Sequence, residues 1–190
     1  KKYNCFRENE HCLMYIGFMN LYNKSELAIC GFSGSGKTTL IQSLIKELST
    51  DFFVGYAKHD AHYFEMDHPG KDTYVAKKAG AKSVFISNKD QYAFIGQGHL
   101  EENIKRNLFN QCDFVLVEGH KKTEIPKIVL IDEEMKIMEL IKQNEITNVL
   151  ALCGEHIPQQ GPGNLPFFNR NDILSIQKFI LEKLKKRPSF

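Results

Sequence analysis

The chain has 190 residues, 42% hydrophobic and 25% charged, with a formal net charge of +2. That suits one soluble α/β domain with a full core, and so small a charge gives no footing for a nucleic-acid or membrane partner. No apolar stretch is long enough for a membrane-spanning helix, and no signal peptide is visible among the first residues.

Residues 1–26 are read as an N-terminal extension of unclear role, and 27–190 as the nucleotide-binding domain. A first core strand at 27–32 runs into Gly31-Phe32-Ser33-Gly34-Ser35-Gly36-Lys37-Thr38, a complete G-x-x-x-x-G-K-[ST] phosphate loop. Converging backbone N–H groups wrap a β-phosphate, and side chains at Gly31, Gly34 and Gly36 would obstruct that wrap. Lys37 reaches the β/γ-phosphates and the Thr38 hydroxyl can ligate Mg²⁺. The helix that follows, 37–49, turns Leu40, Ile41, Leu44, Ile45 and Leu48 to one face and aims its positive N-terminus at the ligand.

A second strand is expected at 52–58, then a polar loop at 59–71 and a helix capped by Asp72 and running to 80. Two apolar runs, 83–87 and 92–96, read as a hairpin across Asn88-Lys89-Asp90-Gln91. A polar helix at 100–110 precedes the strand 114–117, which ends in Glu118-Gly119. Another strand at 127–131 leads to a helix at 133–145 with Met135, Met138 and Ile141 inward. The last core strand is 148–153, and 154–170 is a long loop. Asn171 or Asp172 caps a final helix with the stripe Ile173, Ile176, Ile180 and Leu184. Strand–helix alternation gives a three-layer α/β fold with a mostly parallel sheet and the hairpin as an antiparallel addition at one edge.

In such sheets ligands bind outside the carboxyl ends of the strands. Glu118 stands at one and is placed in the site, binding Mg²⁺ or polarising water. Lys58-His59-Asp60 stands at another, with His62 and His68 nearby. Asp60 is taken as a Mg²⁺ ligand; a transition-metal site on His59, His62 and His68 and a merely exposed loop are the other readings. Asn88-Lys89-Asp90 only approximates the guanine-specifying Asn-Lys-x-Asp pattern and is better read as a turn. Gly154-Glu155-His156, after the last core strand, is better placed to touch a base. Cys5, Cys12, Cys30, Cys112 and Cys153 form no C-x-x-C pair, which argues against a disulfide framework and for a reducing cytoplasm.

Together these segments resemble the molybdopterin-guanine dinucleotide biosynthesis adaptor proteins (MobB). The resemblance rests on the phosphate loop through Thr39, Lys58-His59 with His62, the block Asp67-x-Pro69-Gly70-Lys71-Asp72-Thr73, Ala79-Gly80-Ala81, and Val117-Glu118-Gly119-His120-Lys121 followed by Pro126-Lys127. It implies a P-loop NTPase fold, a homodimer, GTP bound with Mg²⁺, at most slow GTP hydrolysis, and a guanylyltransferase partner that joins GMP to molybdopterin. By position, Gly31, Ser33, Gly34, Ser35, Gly36, Lys37, Thr38 and Thr39 would hold the nucleotide, Lys37 and Glu118 would serve the chemistry, and Thr38 and Glu118 the metal. Lys58, His59, Asp67 and Lys71 belong to the matched loop. A GTP-driven metallochaperone and a small-molecule kinase are the rival functions. Among Arg7, Arg106, Arg170 and Arg187 none falls in a lid pattern, which counts against the kinase; with no arginine finger or water-positioning glutamine evident near the expected site, hydrolysis is expected to be weak.

Overall fold

The computed structural model describes residues 21–22, 25–59, 64–155 and 165–185. In chain order the elements are β1 (Glu26–Cys30), α1 (Lys37–Leu48), β2 (Val54–Lys58), α2 (Asp72–Lys78), β3 (Ser83–Ser87), β4 (Tyr92–Gly96), α3 (Glu102–Leu108), β5 (Phe114–Glu118), β6 (Lys127–Leu130), α4 (Lys136–Lys142), β7 (Val149–Gly154), β8 (Phe167–Asn169) and α5 (Ile173–Lys185).

β1 and β5 are buried at every position because both faces of the sheet are covered. Successive side chains alternate between those faces. Leu27 and Ile29 of β1, Leu116 of β5 and Ile128 of β6 meet Leu40, Ile41, Leu44 and Leu48 of α1 and Ile176, Ile180 and Leu184 of α5. Ala28, Cys30, Val115, Val117 and Val129 face the other way, against Ile137 and Met138 of α4. Each fully buried aliphatic side chain contributes about 1.5–3 kcal/mol. The sheet order is β2-β5-β1-β6-β7-β8, with every pair parallel. A central β1 feeding a phosphate loop and α1, inside three layers, is the P-loop NTPase arrangement.

Four expectations need correction. The hairpin β3–β4 is a separate two-stranded sheet, not an edge of the main one. Residues 154–170 are not all loop, for Phe167–Asn169 pairs with β7 as β8. Helix α4 starts at Lys136, later than expected, with Met135 at the N-cap in left-handed conformation; Met138 is buried, and Met135 and Ile141 pack half-buried against the same cluster, inward as expected. The cap of α2 is Lys71, with Asp72 the first helical residue, whereas Asp172 does cap α5, accepting from Ser175 N at 3.2 Å. The turn reading of Asn88 holds: its side-chain oxygen accepts from Asp90 N and Gln91 N, both at 2.9 Å.

Candidate functional site

The phosphate loop leaves β1 at its carboxyl end and enters α1. Gly36 sits at φ 87° as the N-cap of α1, a conformation that costs other L-residues steric strain. It has no side chain to occupy the first N–H groups of the helix, and the first turn holds no acid. Those donors therefore remain for an anion. At Gly31 a Cβ would come within 2.5 Å of Ser35 Oγ. Ser35 Oγ is itself buried and lacks a hydrogen-bond partner among the described residues. A phosphate oxygen would satisfy it, so the loop fits the group its sequence implies. The Lys37 ammonium donates to Phe32 O at 2.6 Å, within the loop's own arc. Burial, partly offset by Glu118, lowers its pKa.

On the β5 side of the loop stands Glu118, 6% exposed. Thr38 Oγ1 donates to both its carboxylate oxygens at 3.2 Å, and Tyr56 OH donates to Oε2 at 2.8 Å. Lys58 Nζ lies 3.5 Å from Oε1. Burial, then the bond to Glu118, pushes the Tyr56 phenol up to about 12. Thr38 and Glu118 thus form a hydroxyl–carboxylate pair that can hold a hard divalent cation, directly or through water. Tyr56 is a member of this cluster that sequence reasoning missed. Its place in the alternation of an edge strand, two residues before Lys58, was the available signal.

On the opposite side, the ends of β6, β7 and β8 and loop residues Phe32–Ser35 enclose a cavity of about 680 Å³. Leu130–Met135, Cys153–Glu155 and Arg170 complete its walls. The position of Gly154-Glu155 expected from topology is therefore observed; His156 lies outside the described residues. Arg170, set aside in the sequence, comes to the loop: its Nη1 is 3.2 Å from where a Gly36 Cβ would stand. Its Nη2 is ion-paired with Glu155 Oε1. Only the pairing of β8 with β7 brings it there.

The remaining expected residues scatter. Ser33 is exposed on the loop, where it lines that cavity, and Thr39 is exposed on α1. Asp60 and His62 lie outside the described residues. His59 is exposed, its ring 4.9 Å from that of His120. Burial would raise the Asp67 carboxyl, but Thr73 Oγ1 at 2.9 Å, Lys77 and its neighbour's N–H hold it below its ordinary value. Asp67 thus ties the loop to α2, while Lys71 is exposed at the start of that helix. Neither lines the cavity. No group of three or more His, Cys, Asp or Glu among the described residues is arranged to hold a metal.

Behind Glu118, the chain turns at Gly119 and His120, both with positive φ. Cys30 Sγ donates to Gly119 O at 2.7 Å. The fully buried Lys127 donates to the carbonyls of Thr123 and Ile125, pinning the loop that carries His120. Burial pushes the Cys30 thiol up to about 11 and Cys153 to about 12, so both are inert core groups.

The family model for molybdopterin guanine dinucleotide synthesis protein B, MobB, matches residues 26–155. The chain belongs to the MobB family. The match begins with β1 and spans the phosphate loop, Glu118 and Glu155; Arg170 lies beyond it. The Escherichia coli molybdopterin-guanine dinucleotide biosynthesis adapter protein is 30% identical over 170 residues, covering 85% of this chain and 94% of the relative. The Haemophilus influenzae adapter protein is 39% identical over 117 residues, 57% of this chain and 64% of that one. The crystal structure of Bacillus subtilis MobB superposes with a TM-score of 0.69 at 25% identity, over 86% of this chain and 99% of that chain. No helix among the described residues is long and apolar enough to cross a membrane.

Proposed function

We propose that this MobB-family chain is a nucleotide-binding adaptor in molybdopterin guanine dinucleotide biosynthesis. It binds GTP with Mg²⁺ and assists the guanylyltransferase that joins GMP to molybdopterin, in the cytoplasm. The observation that carries the nucleotide part is the convergence of Lys37, Thr38 and Glu118 on a loop whose buried Ser35 hydroxyl has no hydrogen-bond partner among the described residues. The adaptor part rests on family membership and on the names of the relatives.

Gly31 to Thr39 would cradle the triphosphate, Lys37 exchanging the Phe32 carbonyl for phosphate oxygens. Thr38 and Glu118 would hold Mg²⁺, which supplies charge neutralisation at the β- and γ-phosphates. Lys58, already beside Glu118, would add a cation at the same end. Hydrolysis would be slow: the Glu118 carboxylate is engaged by three side chains, and Arg170 stands on the far side of the loop, paired with Glu155.

A homodimer is supported by the hairpin. Two-stranded sheets are marginal alone, and here Phe85, Tyr92 and Phe94 share one face and are 63%, 70% and 53% exposed. A second copy would cover them.

The test is a titration of the purified chain with GTP, with and without Mg²⁺, followed by capture of the guanylyltransferase on the immobilised chain. Saturable, Mg²⁺-enhanced binding and capture are expected. No binding of any nucleoside triphosphate would remove the proposal.

A further inference from the structure

We infer that Glu155 and Arg170 form the base-reading end of the site and select guanine over adenine. This rests on the nucleotide reading above and deepens it. The cavity beside loop residues Phe32–Ser35 has a volume of about 680 Å³, within the usual range for small-molecule sites. It lies at the carboxyl ends of β6, β7 and β8, on the opposite side of β1 from Glu118. With phosphates on the loop and metal toward β5, this cavity is the open direction for ribose and base.

Among the carboxylates of its lining, Glu155 is distinguished by its pairing with a cation of the same cavity, Arg170. Asp132 is committed to the start of α4, where its carboxylate accepts from Lys136 N at 3.3 Å and Ile137 N at 3.2 Å. Glu134 is ion-paired with Lys136. Glu155 instead stands at the end of β7 with its backbone held by Asn169 Nδ2, which donates to Glu155 O at 3.2 Å. Its side chain is half-exposed and paired through Oε1 with Arg170 Nη2. Arg170 is fixed in turn by its own N–H, which donates to Gly154 O at 2.9 Å. At Gly154 a side chain would strike Ile131 Cγ1 at 2.7 Å, and beyond the buried Cys153 it is Glu155 that brings the first polar side chain of this strand end to the cavity.

A carboxylate beside a guanidinium offers acceptor, acceptor and donor in a row. The guanine edge offers the complement: the N2 amine and N1–H as donors, then O6 as acceptor. Glu155 would accept from N1–H and N2, and Arg170 would donate to O6. Adenine turns the lone pair of its N1 toward the same carboxylate and has no amine at C2. It would be rejected by repulsion as well as by lost bonds. Asn88-Lys89-Asp90, which resembles a guanine motif on paper, spends its Asn88 oxygen on its own turn.

The test is equilibrium binding of GTP, ATP and xanthosine triphosphate, each with Mg²⁺, to the full chain and to Glu155→Gln and Arg170→Gln. The parent chain should prefer GTP to ATP by about 10- to 100-fold, the worth of hydrogen bonds to a charged group. Glu155→Gln should bring that ratio to within about threefold. It should also raise xanthosine triphosphate relative to GTP, because the new amide can donate to the C2 carbonyl. Arg170→Gln should lower GTP affinity more than ATP affinity. Glu155→Gln with the GTP:ATP ratio intact would overturn the inference. So would equal, tight binding of both nucleotides by the parent chain, which would leave nucleotide binding itself standing. Failure to bind any triphosphate would instead strike the function proposed above, and this inference with it.

Discussion

Thr38 and Glu118 are 80 residues apart in the chain, and the Thr38 hydroxyl donates to both oxygens of the Glu118 carboxylate at 3.2 Å. The first turn of α1 and the last residue of β5 are joined there because β5 pairs with β1 in parallel, Ile29 opposite Glu118. The pair sits at the mouth of the phosphate loop, with Tyr56 and Lys58 of the edge strand closing it from outside.

Glu118→Gln should abolish the gain in nucleotide affinity produced by Mg²⁺, since a neutral amide is a poor ligand for a hard cation. A titration with and without the metal reads this directly. The same variant should let the Tyr56 phenol ionise below about 12, because it loses a carboxylate partner. Absorbance of the phenolate in an alkaline titration follows that shift. An unchanged Mg²⁺ dependence would place the metal elsewhere.

Lys37→Ala should weaken nucleotide binding by at least about tenfold, the worth of one charge-assisted contact. Among the described residues Lys37 Nζ hydrogen-bonds a loop carbonyl, at 2.6 Å, and is not part of the core. Thermal unfolding without nucleotide should therefore be little changed. A large loss of stability would mean the ammonium holds the loop together.

His120 links stability to pH. Burial first, then His59, Lys105 and Lys127, lower its pKa to about 4 from 6.5. The folded chain thus holds the imidazole neutral where the unfolded chain protonates it. The stabilisation is complete above about pH 6.5 and is lost as pH falls toward about 4. Denaturant unfolding at stepped pH should show this limb. His120→Asn, a residue that tolerates the left-handed backbone at φ 56°, should flatten it.

Phe85 and Phe94 are opposite one another in the hairpin. If their face is covered by a second copy, Phe94→Asp should convert a dimer into a monomer in sedimentation experiments while nucleotide binding persists. A mass that does not change would put the interface on another surface.

The most readable parts of the chain were those carried by contiguous residues. The phosphate loop, the apolar stripe of α1 and the paired apolar runs of β3 and β4 around a turn each announce themselves within about a dozen positions, since backbone conformation depends on local spacing. Glu118 was found by the same logic, as a carboxylate ending an apolar run. Short β8 was not, because three residues beyond a proline-rich stretch carry too little pattern.

Neighbour relations are another matter. That β5 lies between β1 and β2, so that Tyr56 and Lys58 reach Glu118, is a choice among strand orders that no local period encodes. That β8 joins β7 is what sets Arg170 against the phosphate loop and pairs it with Glu155. Residue identity along the chain specified the chemistry available; which faces had to be buried against which, a property of the whole core, decided where that chemistry meets.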